Sequence, residues 1–241
     1  MSINVNIPNK SYDFSELSLG EPTGLGNNLF FSKISNNGDI YIQTPEIKSK
    51  EGLVNNVKKP YIDLLLKNEN EDIIEWFESL EEKLYDLIYL KKDEWFQDSN
   101  IEKTDIENIF ISPLKSIKSG KQFVLRSYLD NPKSLISKRE IKIYDESDNI
   151  LTSDSIKSSS KIIALLHING LKFSSKNFQI YIDIKEVMKT SDDKECKYII
   201  KKITKSNKDN VDEISENKIN MQDNNEEEKD EEEKNEKNEN L

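Results

Sequence analysis

The sequence predicts a mainly β fold, a small barrel or half-open sheet, with one long amphipathic helix inserted between an early and a late set of strands. Apolar side chains alternate over residues 122–129 and 177–185, which is the period of half-buried strands. Over residues 71–92 they recur instead at 4-3-4-3 spacing, which is the period of a helix. From Ser206 to Leu241 the chain has no aromatic residue and few aliphatic ones, so its end is predicted to be a disordered acidic tail.

The early strands are predicted at 29–34 and 39–44. Between them lies Asn36-Asn37-Gly38, a sequence that favours a hairpin turn. These two segments are therefore expected to form a β-hairpin.

The helical segment covers about residues 70–110. The 71–92 helix has one acidic face, predicted to be solvated, and one apolar stripe, predicted to pack on the sheet. The stripe consists of Ile73, Ile74, Phe77, Leu80, Leu84, Leu87 and Ile88. A shorter helix is predicted over 102–110, before Pro113 breaks the pattern.

The late strands are predicted at 122–129, 139–144, 161–170 and 177–185. Residues 161–170 are nearly all apolar, as expected for a central strand that is buried on both faces.

The charge of the chain is segregated, although its total is −11. Residues 1–111 carry a net charge of −10, residues 112–204 carry +7 and residues 205–241 carry −8. Because salt screens electrostatic fields over short distances, the charge of a segment matters more than the net charge of the chain. The basic segment is therefore compatible with a nucleic-acid partner. We expect a core over 1–204 and a disordered acidic tail over 205–241.

Most catalytic and metal chemistry is disfavoured by the composition. With one cysteine, Cys196, and one histidine, His167, we expect no disulfide framework, no metal site, no cofactor and no enzymatic activity. His167 lies in an apolar run and is interpreted as a residue at the edge of the core. No run approaches the ~18 apolar residues of a membrane span, and there is no signal peptide, so an intracellular, reducing location is expected.

Three predicted strands carry an aromatic ring and a cation on the same polar face. The pairs are Arg126 with Tyr128, Lys142 with Tyr144, and Tyr181 with Lys185. Rings that stack unpaired bases, flanked by lysines that follow the phosphates, are what a single-stranded nucleic-acid site requires. The alternative is the ordinary wet face of an antiparallel sheet. The acidic tail likewise either competes with nucleic acid for this face or serves as a solubiliser.

An ordered set of segments resembles a known family. The set is GNNLFFSKI, NGDIYIQTPEI, FESLEEKL, KKDEWF, SPLK, FVLRSYL, IYDESDNIL and KIIALLHINGLKFSSKNFQIYIDIKEV, followed by the acidic tail. It resembles the single-stranded-DNA-binding proteins of large nucleocytoplasmic DNA viruses, which are related to the phage T7 type. The resemblance covers about residues 20–190.

The resemblance implies an OB-like antiparallel barrel that binds single-stranded DNA without sequence preference, in viral DNA replication, recombination and repair. Its acidic tail would compete with DNA and recruit a polymerase, helicase or primase, at the viral replication site in the host cytoplasm or nucleus. The resemblance also implies a tail that ends in an aromatic residue, as in the phage relatives, whereas this chain ends in Leu241. A homodimer is also left open.

Under this hypothesis two groups of side chains bind the strand. Bases would stack on Tyr128, Tyr144 and Tyr181, and also on Tyr41 or Phe173. Phosphates would meet Arg126, Arg139, Lys142, Lys161, Lys172, Lys176 and Lys185. One alternative is an acidic, chaperone-like interaction protein that binds basic proteins and not DNA, and another is a structural component of a virion.

Overall fold

Alternating apolar side chains build thirteen strands in the described part of this computed structural model, residues 4–55, 57, 59–96, 100–129 and 141–190. The strands are β1 (Val5–Asn6), β2 (Leu17–Leu19), β3 (Thr23–Gly26), β4 (Leu29–Asn36), β5 (Ile40–Gln43), β6 (Ile47–Val54), β7 (Tyr61–Lys67), β8 (Phe110–Ile111), β9 (Leu114–Ile117), β10 (Gln122–Leu129), β11 (Lys142–Asp145), β12 (Lys161–Phe173) and β13 (Phe178–Lys189). The helices are α1 (Glu71–Leu90), α2 (Lys92–Trp95) and α3 (Lys103–Ile109). The fold is thus mainly β-sheet with one long helix, as the sequence predicts.

Five of the strands close into a ring. β6 pairs with β7, β7 with β10, β10 with β13, β13 with β12, and β12 returns to β6 through Lys161 and Ile162. If β6, β7, β10, β12 and β13 are numbered 1 to 5 in chain order, their order around the ring is 1-2-3-5-4. A closed ring leaves none of these five strands as a free edge.

One ladder of the ring corrects the prediction of an antiparallel barrel. Tyr128 and Leu129 of β10 pair in parallel with Asp183 and Ile184 of β13, whereas the other four ladders are antiparallel. Alternation in a sequence shows which face a side chain occupies, but not the direction of the neighbouring strand. The parallel closure could therefore not be read from the pattern.

Strand β12 is central, because it pairs with β13 on one side and with β4, β5 and β6 on the other. Its inward side chains, such as Ile162 and Leu166, are fully buried, whereas Ile163 and Leu165 on its outer face are only half-buried. The prediction of burial on both faces is thus wrong for these two side chains, since a barrel wall has the core on one side only.

The predicted hairpin between β4 and β5 is also wrong. Asn37 and Gly38 adopt positive φ of 51° and 124°, as a tight turn requires. However, β4 pairs with Gly170–Phe173 of β12 and β5 pairs with Leu165–Ile168, so both run along the same neighbour. β4 and β5 therefore run in the same direction along β12, and the turn between them interrupts the strand without reversing the chain.

Helix α1 presents its apolar stripe to the core. Phe77, Leu80 and Leu84 are fully buried, and Trp76 packs edge-on against Tyr12 at a ring-centroid distance of 5.4 Å. Burying side chains of this size contributes about 1.5–3 kcal/mol each, which fixes the helix to the sheet. Among the described residues, no helix combines the length and apolar composition needed to span a membrane.

Two segments named in the sequence analysis lie outside the described residues. They are 130–140, which includes Arg139, and 191–241, which includes the acidic tail. The described residues all belong to a single compact unit.

Candidate nucleic-acid interface

One row of register partners crosses five strands on the outer face of the barrel. It consists of Tyr61 (β7), Tyr128 (β10), Asp183 (β13), His167 (β12) and Tyr41 (β5). Each of these residues has at least one buried chain neighbour, namely Ile62, Ser127, Ile182, Leu166 and Ile40, so the row itself lies on the opposite, outer face of the strands. Because adjacent strands lie ~4.8 Å apart, this outer row spans ~19 Å. It places aromatic rings on both sides of a polar centre.

The Tyr128 ring of the row stacks on the ring of Tyr181. Tyr128 and Tyr181 lie nearly parallel, with ring centroids 5.3 Å apart and an interplanar angle of 10°. The Lys172 ammonium lies 4.2 Å from the Tyr181 ring centroid. Both tyrosines are partly exposed. The two rings offer a flat apolar surface on which an unpaired base can stack, and Lys172 offers a cation for its phosphate.

The second ring surface is built from Tyr61, Asp63 and Arg126. The Arg126 guanidinium carbon lies 3.9 Å from the centroid of the Tyr61 ring. Its Nε and Nη2 donate hydrogen bonds of 2.7 and 2.8 Å to the two carboxylate oxygens of Asp63. Asp63 raises the pKa of Arg126 further above its ordinary value, chiefly through these hydrogen bonds. Arg126 is therefore a permanently charged group whose charge is already matched.

The polar centre of the row is buried. Asp183, 1% exposed, accepts a 2.6 Å hydrogen bond from Asn169 and lies 3.5 Å from the Lys185 ammonium. His167 stacks on Tyr41, with ring centroids 4.6 Å apart. Burial, reinforced by Lys185, lowers the pKa of His167, which keeps the ring neutral near pH 7. The uncharged His167 ring thus packs against the Tyr41 ring and helps to hold it in place.

Two lysines, Lys172 and Lys59, lie close to each other beside the Tyr181 ring. Burial lowers the pKa of Lys172, and the neighbouring Lys59 lowers it further. Lys59 lies in the connection between β6 and β7, and exposed Lys176 lies in the connection between β12 and β13. Two ammonium groups that repel each other gain from an anion between them, since a phosphate neutralises both.

One predicted stacking residue lies in the core. Phe173 is 5% exposed, and its ring stacks on Trp95 at 4.9 Å, on Phe178 at 5.3 Å and on Phe30 at 5.6 Å. No ring face is left for a base. Phe173 belongs to the inward series of β12, after an irregularity between Ile168 and Gly170 that shifts the alternation. Strict alternation could not reveal this shift.

The structure does not bring Tyr144 into the row. Tyr144 pairs with Met188, which lies five residues beyond Asp183 and hence about 17 Å further along β13. Burial raises the pKa of Tyr144, and nearby Glu186 adds to this effect. Lys142 on the same strand lies 3.2 Å from a Glu186 carboxylate oxygen.

Of the predicted cations, Lys172 and Lys185 lie on strands that cross the row, β12 and β13. Lys176 lies in the loop between these strands, before Phe178, which is itself five residues and about 17 Å from Asp183 along β13. Lys161 begins β12, far from Lys172, and lies 3.8 Å from Glu46. Two residues of the interface were missed by the sequence analysis. Tyr61 stands in the run YIDLLLK, which is too apolar to signal a wet face, and Lys59 stands in a loop.

No protein-family model matches the chain, and no curated protein matches it. Among solved structures, the chain is similar to gp2.5, a single-stranded DNA binding protein encoded by bacteriophage T7, at 8% identity and a TM-score of 0.43, covering 64% of this chain and 87% of that one. It is also similar to the single-stranded DNA-binding protein from bacteriophage Enc34 in complex with ssDNA, at 10% identity and a TM-score of 0.38, covering 74% and 97%.

Proposed function

We propose that the protein binds single-stranded DNA without sequence preference on the outer face of its barrel. The observation that carries the proposal is the outer row, in which partly exposed tyrosine rings lie on both sides of a buried polar centre and lysines lie nearby. A base that stacks on such a ring contributes ~1–3 kcal/mol, whichever base it is. Lysine contacts to phosphates add an equally sequence-tolerant component.

The topology supports the same face. An OB fold is a five-stranded Greek-key barrel that binds oligonucleotides on strands 2 and 3 and on the loops 1–2 and 4–5. In the ring described above, strands 2 and 3 are β7 and β10, which carry Tyr61, Arg126 and Tyr128. The loop 1–2 contains Lys59, and the loop 4–5 contains Lys176. We therefore assign the barrel as OB-like.

The acidic tail, residues 205–241, is proposed to regulate this face. Its net charge of −8 is opposite to the +7 of residues 112–204. An acidic segment that occupies the lysines lowers the apparent affinity for DNA and is displaced by it. The free tail would then bind basic surfaces of a polymerase, helicase or primase.

The biological role proposed is non-enzymatic. The protein would coat single strands during viral DNA replication, recombination and repair, inside the host cell at the replication site, as a monomer or a homodimer. This role rests on the resemblance of the sequence segments to the large nucleocytoplasmic DNA virus family, together with the ring-and-lysine face.

Fluorescence anisotropy tests the proposal. A labelled 30-nucleotide single strand and the matching duplex are titrated with the full chain and with a 1–204 truncation at several salt concentrations. We expect preference for the single strand, tighter binding without the tail, and a log–log salt slope of about −0.7 per neutralised phosphate. If neither the full chain nor the truncation binds and both instead capture cationic proteins, the acidic interaction protein becomes the better interpretation.

A further inference from the structure

Arg126 is the only arginine in the described residues, and its ion pair with Asp63 disfavours the binding of a phosphate. Both carboxylate oxygens of Asp63 accept hydrogen bonds from Arg126, and the Asp63 side chain is 4% exposed. A bidentate pair of this kind is strong and fixes the guanidinium plane. A phosphate that approached Arg126 would also approach the Asp63 carboxylate, which repels it.

The position of Arg126 over Tyr61 gives the guanidinium a second role. Tyr61 is the register partner of Tyr128, so Arg126, two residues earlier on β10, is its diagonal neighbour. The guanidinium covers the Tyr61 ring at 3.9 Å, while the Arg126 side chain remains 47% exposed. One face of the guanidinium thus lies on the tyrosine and the other is available to the solvent side.

We propose that the guanidinium plane of Arg126 is a stacking surface for an unpaired base, with Tyr61 beneath it and Asp63 holding the plane, rather than a phosphate contact. The inference rests on the proposed function. Bases are known to stack on arginine planes as well as on aromatic rings. Because Asp63 matches the charge, this contact releases few counterions, and its contribution to affinity is nearly independent of salt.

Arg126→Lys separates the two roles. Lysine keeps the positive charge and a partner for buried Asp63, but it offers no plane. With the full chain and a 30-nucleotide thymidine strand, Arg126→Lys is expected to weaken binding about tenfold or more while the salt slope stays unchanged. The matched control, Lys176→Ala, removes an exposed loop cation and is expected to lower the steepness of the slope by about 0.7.

An abasic strand of the same length gives the decisive comparison, because it retains every phosphate. The Arg126→Lys effect is expected to disappear on the abasic strand. Equal losses on both strands, or full affinity of Arg126→Lys together with a shallower slope for Arg126→Ala, would overturn the stacking role. Absence of binding by the unmodified chain would instead refute the proposed function itself.

A second variant covers the case in which Arg126→Lys does not fold, as judged by its melting transition. The double variant Asp63→Asn, Arg126→Gln replaces the ion pair with a planar, neutral amide pair. It is expected to stay within about threefold of the parent affinity with the same salt slope, since a flat group remains on Tyr61. A slope shallower by about 0.7 would show that Arg126 contacts a phosphate after all.

Discussion

Tyr128 provides the sharpest test of the interface, because its ring is held in place by another ring. Tyr128→Ala removes the ring that lies 5.3 Å from Tyr181 and is paired in register with Tyr61. Two losses follow. The base that stacks on Tyr128 loses its platform, and Tyr181 loses the neighbour that orients it beneath Lys172.

The expected magnitude follows from these contacts. One lost base platform costs ~1–3 kcal/mol, which is about five- to 150-fold in affinity for a single strand. Tyr128→Phe keeps the ring and should stay within about threefold, since only a hydroxyl is removed. Tyr144→Ala, which removes a tyrosine about 17 Å away along β13, should leave the affinity unchanged.

Anisotropy titrations of these three variants with the same labelled strand measure the change in affinity, and melting curves verify that each variant folds. The placement of the interface is refuted if Tyr144→Ala weakens binding as much as Tyr128→Ala, or if a folded Tyr128→Ala binds like the parent chain.

Three further predictions concern the lysines, a buried carboxyl and a glycine. Lys59→Ala and Lys172→Ala should each make the salt slope shallower by about 0.7, whereas Lys142→Ala, whose lysine pairs with Glu186, should leave it unchanged; equal slopes in all three would contradict the placement of the phosphate path. Burial raises the pKa of Glu81, although Ser112 and Tyr85 donate hydrogen bonds to it, so the neutral carboxyl is favoured in the fold. The stability that this neutral form provides is fully present below the ordinary glutamate pKa and is lost as the pH rises through the raised pKa. Glu81→Gln should therefore raise the melting temperature at pH 7 but not near pH 4, and a lower melting temperature at pH 7 would count against the burial argument. Gly170→Ala should destabilise the fold by about 1–3 kcal/mol in denaturant titrations, because a Cβ there meets the Phe31 ring and the Ser32 carbonyl of β4, whereas Gly24→Ala meets nothing; similar stabilities would argue against the β4–β12 contact.

Much of the fold could be predicted because the periodicities are strong. The helix predicted at 71–92 is α1, Glu71–Leu90, and the strand predicted at 122–129 is β10 with the same bounds. Pairing partners were not accessible in this way. The Asn37-Gly38 turn has the backbone of a hairpin, yet β12 is long enough to pair with both flanking segments. Ladder partners are set by tertiary contacts and not by local sequence.

The candidate site was predictable only where alternation is unbroken. Arg126 and Tyr128 were correctly placed together on the outer face of β10, but the bidentate partner Asp63 lies 63 residues away in sequence, and no local pattern connects them. Phe173 was misassigned because the irregularity after Ile168 moves the later residues of β12 to the opposite face. A bulge of this kind changes the face of every following side chain.

The most direct test of the central claim is a map of where a bound strand touches the protein. A single strand that contains a halogenated pyrimidine is bound to the full chain, crosslinked by light, and the modified residues are identified by mass spectrometry. We expect crosslinks at Tyr128 and Tyr181. Crosslinks confined to Tyr144, or to aromatic residues away from the outer row, would contradict binding on this face.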